Sequence, residues 1–430
     1  MKLLLQWLYP GLNIKRWMLL FSFGLMLLAF GAALVMNYQV FGRIEEEILR
    51  LLFVLTGTYS YTFLAAAGIF FVFIGLFFML WAIRRLVKRF FSLVAPDQES
   101  VSRHIVSKWE LSRGLKVVAI GGGHGLSMLL RGLKTKTSNI SAIVTVADDG
   151  GSSGRLREEL GIIPPGDLRN CLVALADTEP LMEKLFQHRF EGASNLAGHS
   201  FGNLFLAAMA EVTGDMETAL RESSKVLAVK GRVLPASKES VRLDAILEDG
   251  TVVEGESRIP EVPGRIRRVR LFPQDVAPVP SALEALRTAD AIILGPGSLY
   301  TSIMPNLLVR GVADELRKSH ALKIYICNVM TQPGETDGYT ASMHAEAILK
   351  HAGRGTIDFM LVNNTPISEA LRAQYAAQGI YPVAVDEEAI NALGIGFVAA
   401  DIISQADAVR HDPDKLSRNI MRMIYDFRVT

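Results

Sequence analysis

Two stretches near the amino end carry no charged side chain, and nothing else in the chain restricts its fold as strongly. Residues 17–38 (WMLLFSFGLMLLAFGAALVMNY) run for 22 positions, which as a helix at about 1.5 Å per residue crosses a bilayer core. Residues 51–83 are uncharged for 33 positions, more than one span needs, and their first third holds Thr, Gly, Ser and Tyr. The second span is therefore expected near 63–83, with 51–62 as an interfacial or tilted approach. Trp17, Tyr38, Tyr59, Tyr61 and Trp81 fall where aromatic residues gather at membrane interfaces.

The cations set an orientation. Lys2, Lys15 and Arg16 precede the first run, and Arg84, Arg85, Lys88 and Arg89 follow the second. The loop between them sets Arg43 and Arg50 beside Glu45, Glu46 and Glu47. The positive-inside bias then puts both termini in the cytoplasm and the loop outside, as in a two-span protein of the cell (inner) membrane. A cleaved signal peptide fits poorly, because the first run is too long and a second with a basic stop follows. Residues 1–89 thus read as a membrane hairpin, 90–113 as a juxtamembrane linker, helical around 99–109, and 114–430 as a cytoplasmic domain. Residues 1–109 carry 11 basic and 5 acidic side chains, the remainder 34 and 39. A faintly acidic domain with no Lys/Arg-dense stripe argues against general nucleic-acid binding. Cys171 and Cys327 make no disulfide framework and read as small buried hydrophobes.

From Lys116 onward short apolar runs alternate with longer amphipathic stretches, the pattern of an α/β domain with a mostly parallel sheet and helices on both faces. Strands are expected at 116–120, 141–146, 291–294, 323–327 and 359–362. Each is followed by a small, polar loop: GGGHGLS, ADDGGSSG, GPGSLYTS, NVMTQPGET (opening with Asn328) and NNTP. Ligands of parallel sheets bind beyond the carboxyl ends of the strands, so the five loops point to one shared pocket.

The first loop, Gly121, Gly122, Gly123, His124 and Gly125, brings bare N–H groups and a helix N-terminus against an anion, or is a purely structural turn. It lacks the third glycine of the dinucleotide fingerprint, and no Gly-Lys-Ser/Thr of a Walker A loop occurs in the chain. Asp148 and Asp149 end the second strand, where a carboxylate accepts from a ribose or heterocycle or holds Mg²⁺ against phosphates. For Asp148 a turn-forming role is equally well supported, and for Asp149 the functional reading is favoured. GGSSG formally matches G-x-S-x-G, but two further glycines and an Asp pair make a longer loop than a nucleophile elbow. Ser152 and Ser153 read instead as hydroxyl donors to a ligand or lid. The 295–302 loop is a second nest: Gly297 frees the backbone, Ser298 and Thr301 offer hydroxyls, and Tyr300 a ring. In GHSFGN either Ser200 or Asn203 caps a helix beginning near Leu204, with Asn203 also a pocket candidate. Lys230, beside Arg232, neutralises phosphate or is half of a solvated loop pair. Residues 241–272 alternate around Asp249-Gly250 and read as a small β excursion. The tail from Ile367 is helical in pattern and says little chemically. No His/Cys/Glu cluster has zinc spacing.

With these motifs in place, the chain resembles the gluconeogenesis factor (YvcK-type) family, related to the 2-phospho-L-lactate transferase CofD. The resemblance spans roughly 115–370 and rests on VVAIGGGHGLSMLLRGLK, VTVADDGGSSGRLREELGIIPPGDLRNCLVALAD, LAGHSFGNLFLAAM, LGPGSLYTSIMPNLLVRGV and CNVMTQPGETDGYTAS. It implies a Rossmann-like CofD fold, binding of a nucleotide sugar such as UDP-N-acetylglucosamine, and a role in cell shape and envelope synthesis on gluconeogenic carbon, without an established reaction. It implies that loop 121–125 and the loop holding Ser298, Tyr300 and Thr301 contact diphosphate and sugar, with Tyr300 the most specific contact. It also matches Asp148 and Asp149 to an acidic pair near acceptor and metal. Two positions depart from the family pattern: His124 stands where Thr is expected, and Met343 where an acidic residue is. Partners expected are envelope-synthesis or regulatory proteins and further copies of the chain, as a homo-oligomer. The competing reading is a CofD-type transferase, moving a phospholactyl group from a nucleotide diphosphate donor to a deazaflavin alcohol with Mg²⁺ and with Asp149 as base or metal ligand. A dinucleotide-linked redox enzyme is disfavoured by the incomplete fingerprint.

Overall fold

The two uncharged runs form long helices in the computed structural model, which describes residues 14–35, 46–47, 50, 53–54, 61–94, 111–177, 180–192, 196–405 and 408–429. The chain divides into two compact units, Met1–Ser107 and Lys108–Thr430. In the first, α1 (Ile14–Val35) and α2 (Tyr61–Val94) contain the stretches Arg16–Val35 and Ala65–Lys88, each long and apolar enough to cross a membrane. Residues 36–38 of the expected first span, most of the loop between the spans and the expected helix at 99–109 lie outside the described residues. The helices cross at glycines. A Cβ added to Gly31 would fall 2.5 Å from the Gly68 carbonyl oxygen, and one on Gly75 would fall 2.6 Å from that of Gly24. Each helix spaces its pair seven residues apart, two turns along one face, so the backbones touch where no side chain intervenes. Beyond the crossing the Arg85 guanidinium sits 5.6 Å from the Trp17 ring centroid and 5.8 Å from that of Trp81, a cation–π pairing.

The second unit is built on a seven-stranded parallel sheet of β1 (Val117–Gly121), β2 (Ile140–Val144), β3 (Arg232–Pro235), β7 (Ala291–Leu294), β8 (Leu322–Ile326), β9 (Phe359–Asn363) and β10 (Gly396–Ala400). Between β3 and β7 lies an antiparallel excursion of β4 (Arg242–Leu247), β5 (Val252–Glu254) and β6 (Ile266–Phe272), and a two-residue hairpin follows β10, β11 (Ile403–Ser404) with β12 (Arg410–His411). All five expected strands are present. The tail differs from its helical pattern: it adds β10 at the sheet edge and the β11–β12 hairpin before its last helix, Pro413–Val429.

Strand order is β10-β9-β8-β7-β1-β2-β3. The chain leaves β1 toward β2 and β3, then returns to the other side of β1 at β7 and proceeds outward to β10. The order therefore reverses between β1 and β7, and in such sheets a crevice opens there beyond the carboxyl ends. The register Val117↔Ala291 through Ile120↔Leu294 brings both strands to that edge at the same level. Helix α3 (Gly123–Leu133) follows β1 and buries Leu126, Leu129, Leu130 and Leu133 completely. Their spacing is one helical face, and each contributes roughly 2 kcal/mol of apolar burial. The close approach of the last helix depends on Gly132, where a Cβ would meet the Pro413 carbonyl oxygen at 2.0 Å.

Candidate functional site

The crevice between β1 and β7 is a cavity of about 770 Å³, within the range of cofactor and ligand pockets. Its walls are loops 121–125 and 295–302, part of the loop after β8, the short helix at 256–261, and a stretch of the C-terminal tail. Loops 121–125 and 295–302 are in van der Waals contact: a Cβ on Gly125 would lie 2.5 Å from the Pro296 carbonyl oxygen and 2.8 Å from Gly297 Cα. Gly123, at φ +53°, opens α3 in the left-handed region, which favours glycine. The helix thus begins within the loop itself.

Of the residues singled out from sequence, Gly122, Gly123, His124, Gly125, Asp148, Gly297, Ser298, Thr301 and Asn328 line this cavity. The loops after β7 and β8 are tied by side chains: Asn328 Nδ2 donates to Gln332 Oε1 at 3.0 Å, and Gln332 Nε2 to Ser298 Oγ at 2.8 Å. The loop after β9 lines a neighbouring cavity of about 250 Å³ that shares Asn328 and Val329 with the first. Five loops therefore serve two adjoining cavities rather than one.

The remaining candidates are placed elsewhere. Gly121 ends β1, and its carbonyl accepts from Asn306 Nδ2 at 3.1 Å. Asp149 turns away from the cavity and caps the short helix at 256–261, its two oxygens accepting from the Glu256 and Ser257 N–H groups at 3.0 and 2.9 Å. Adjacent residues of an extended segment point to opposite sides, so Asp148 and not Asp149 faces the cavity. Ser152 and Ser153 are buried in the first turn of the helix Gly151–Leu160. Ser152 Oγ lies 3.0 Å from His199 Nδ1 and accepts from Asn203 Nδ2 at 3.0 Å. Ser200 is the cap of the helix Phe201–Thr213, and Asn203 Oδ1 accepts from the buried Arg169 guanidinium at 3.0 Å. Lys230 precedes β3 instead of following a strand, which puts it at the opposite end of the sheet, paired with Asp177 at 3.1 Å. Tyr300 is 2 % exposed and its hydroxyl meets that of Tyr339 at 2.9 Å; it supports the loop from beneath and does not line the cavity.

What sequence reasoning missed is acidic. Asp167, Glu256 and Glu335 join Asp148 on the cavity wall. Burial, reinforced by the neighbouring Asp148, pushes the Asp167 carboxyl up to about 7, although the Gly123 N–H donates to it. Burial followed by the charges of Asp148 and Asp167 pushes Glu256 up to about 8. Burial raises Glu335 to about 7 against hydrogen bonds from Thr301 Oγ1, at 3.2 Å, and from the Tyr300 and Thr301 N–H groups. Both glycine-rich nests thus already face a protein carboxylate, Asp167 in the first and Glu335 in the second. Arg410 is the one Lys or Arg among the described residues lining the cavity. Among the described residues no group of three or more His, Cys, Asp or Glu is placed to hold a metal ion. Asp148 and Asp167, both on the cavity wall and close enough for the first to raise the carboxyl of the second, are the pair that could share one with a ligand.

Residues 117–403 match the family model described as 2-phospho-L-lactate transferase CofD. The chain belongs to the CofD family, among the gluconeogenesis factors. The gluconeogenesis factor of Halalkalibacterium halodurans is 56% identical over 71% of this chain and 95% of its own length, and that of Bacillus subtilis 53% identical over 72% and 98%. A putative gluconeogenesis factor of a Nostoc species is 47% identical over 97% of this chain and 92% of its own. The first two therefore have no counterpart for more than a quarter of the chain, whereas the third extends through the apolar helices. A crystal structure of a UPF0052 family protein from Bacillus halodurans superposes with a TM-score of 0.70 at 55% identity, covering 72% of this chain and 99% of that one.

Proposed function

We propose that this chain binds a nucleotide diphosphate sugar of the UDP-N-acetylglucosamine type together with a divalent cation. We also propose that its apolar hairpin holds the binding domain at the cytoplasmic face of the cell membrane, with both termini inside. There it regulates envelope synthesis, cell shape and central carbon metabolism through protein partners. The observation that carries the binding reading is the meeting of loops 121–125 and 295–302 at the wall of one crevice, where the strand order reverses. Bare N–H groups and a helix N-terminus there suit phosphate oxygens.

The charge on the walls favours a cation. Four carboxyl groups face one arginine; Asp167, Glu256 and Glu335 are held at about 7 to 8, so near neutral pH they are only partly ionised, and a diphosphate entering alone would raise them further instead of pairing with them. Mg²⁺ is commonly held by one or two carboxylates plus phosphate oxygens. Asp148 and Asp167 supply that number, and the ion would neutralise charge between them and the diphosphate. The role of a non-catalytic regulator is supported by the placement of Asp149, the residue the transferase reading would use as base or metal ligand, which is occupied as a cap. The relatives' name, gluconeogenesis factor, supports the metabolic side.

The CofD-type transferase reading has one observation in its favour. Asp167 is a cavity carboxyl held at about 7, a value matched to a general base near neutral pH. Titration of the full chain in detergent with UDP-N-acetylglucosamine, UDP-glucose and GDP, with Mg²⁺ or with EDTA, separates the readings by thermal shift and phosphorus NMR. A UDP-sugar should raise the melting temperature only with Mg²⁺ and remain intact. Stabilisation by GDP alone, or nucleotide release in the presence of a deazaflavin alcohol, favours the transferase. No stabilisation by any nucleotide overturns the binding reading.

A further inference from the structure

The smaller cavity, of about 250 Å³, opens beyond the carboxyl ends of β8 and β9 and adjoins the larger one at Asn328 and Val329, which line both. The two differ in chemistry. Among the described residues lining the smaller cavity none is Asp or Glu and the one charged side chain is Arg372, whereas the larger holds four carboxyls. Val329, Ile367 and Val383 line it as partly buried aliphatics packed against the core. Its walls are held by the protein's own hydrogen bonds. The Val383 N–H donates to the Val329 carbonyl at 3.0 Å, and the Asn363 side chain donates to the Thr365 carbonyl at 2.8 Å while accepting from the Thr365 N–H at 3.2 Å. At the doorway Asn328 spends one N–H on Gln332, which leaves the oxygen and second N–H of this half-buried amide without a partner among the described residues. Aliphatic walls with a few fixed polar groups are the usual lining of a pocket for an uncharged organic ring.

We infer that this smaller cavity receives the nucleobase of the ligand, its ring among the aliphatic side chains and its polar edge at the Asn328 amide, while diphosphate, cation and sugar remain in the larger cavity. The inference rests on the nucleotide-sugar reading above and deepens it by giving the base a site of its own. Distance along the sheet separates base from sugar. β1 pairs with β7, β7 with β8 and β8 with β9. Neighbouring strands lie about 4.8 Å apart, so the β8–β9 mouth is roughly 10 Å from the β1–β7 mouth. A hexose joined directly to the diphosphate stays nearer than that, whereas a ribose carries the base outward. An amide presents a donor beside an acceptor, the complement of the N–H and C=O on a uracil edge.

Three variants of the full chain in detergent with Mg²⁺ test it, read by calorimetry with UDP, UDP-N-acetylglucosamine and inorganic pyrophosphate. Val383→Phe and Ile367→Phe each put a larger side chain into the smaller cavity, and Asn328→Ala removes the amide. UDP and the UDP-sugar should weaken together, roughly tenfold or more in the two Phe variants and roughly fivefold or more in Asn328→Ala. Pyrophosphate, which has no base, should bind the Phe variants within about twofold of wild type. An unchanged affinity for UDP in any of the three that melts like wild type overturns the inference. A loss for the UDP-sugar without a loss for UDP overturns it too, because the sugar then fills the cavity. Equal losses for pyrophosphate and UDP in the Phe variants also overturn it, since the cavity then does not separate base from diphosphate. A wild type that binds no nucleotide overturns the nucleotide reading and this inference together, so failure of the base pocket alone is recognised by a wild type that binds UDP.

Discussion

Replacing Asp167 by Asn should stabilise the folded domain above neutral pH while abolishing cation-dependent ligand binding. The carboxyl is raised from an ordinary 3.8 to about 7 by burial and by Asp148, so the folded state binds its proton more tightly than the unfolded chain does. Stability contributed by the protonated form is therefore complete below pH ~4. It is lost as pH climbs, and the loss levels off above about 7. At about 1.4 kcal/mol per unit, the ionised carboxylate costs the fold about 4 kcal/mol at pH 8.5 and about half that at pH 5.5. Asn removes the charge, and its amide oxygen can still accept from the Gly123 N–H. At roughly 2 °C per kcal/mol for a domain of this size, the variant should melt about 8 °C above wild type at pH 8.5, with the gap closing steadily toward pH 4. Differential scanning fluorimetry of full-length protein across that range measures it. A gap that is absent, or that does not change with pH, refutes the assignment of Asp167 as a strained, buried carboxylate. A variant that gains stability yet binds UDP-N-acetylglucosamine normally with Mg²⁺ refutes its place beside the cation.

Gly125→Ala drives a methyl group to 2.5 Å from the Pro296 carbonyl and should part the two loops, weakening the UDP-sugar at least tenfold by calorimetry with the far-UV spectrum unchanged. Tyr300→Phe removes the hydroxyl pair with Tyr339, which should cost about 1 kcal/mol in denaturant unfolding and leave affinity within about twofold. Lys230→Ala, at the far end of the sheet and in a partly exposed ion pair, should cost under about 1 kcal/mol and leave affinity untouched. A large affinity loss in either of the last two would return those side chains to the ligand site.

The placement of the candidate site was legible in sequence because each central strand is a short apolar run followed by glycine, asparagine or an aspartate pair, and such stops are set by local chemistry. β3 and β10 were missed because neither is a fully buried apolar run. β3 (RVLP) opens with a charge and closes on proline, and β10 (GFVAA) is only partly buried. The side chains facing the cavity were harder. Asp148 and Asp149 are indistinguishable by type, and only the phase of the extended chain separates them. Asp167, in the first turn of the helix Gly166–Leu175, has the look of an ordinary acidic residue favoured at a helix N-terminus. Glu335 and His411 reach the cavity from loops brought there by strands that follow the return crossing. No local pattern marks a residue for a wall assembled from segments nearly 300 positions apart.

The glycines themselves carry two messages, and the sequence separates them poorly. A Cβ at Gly122 would meet Asp167 Oδ2 at 2.5 Å and Thr145 Cγ2 at 2.7 Å, and one at Gly125 the backbone of the β7 loop. Both residues are thus required by crowding at the switch point before any phosphate arrives. A glycine-rich turn after a parallel strand therefore locates the crevice, because that is where neighbouring loops and side chains converge most closely. It does not settle the charge of what enters. That depends on Asp148, Asp167, Glu256 and Glu335 against Arg410, a balance in which bare amides favour an anion and, under the binding reading proposed above, the carboxyls around them favour its arrival with a cation. A site of this kind gains affinity and selectivity together. On that reading neither a free diphosphate nor a free divalent ion would find a complete set of partners, and each would supply what the other lacks.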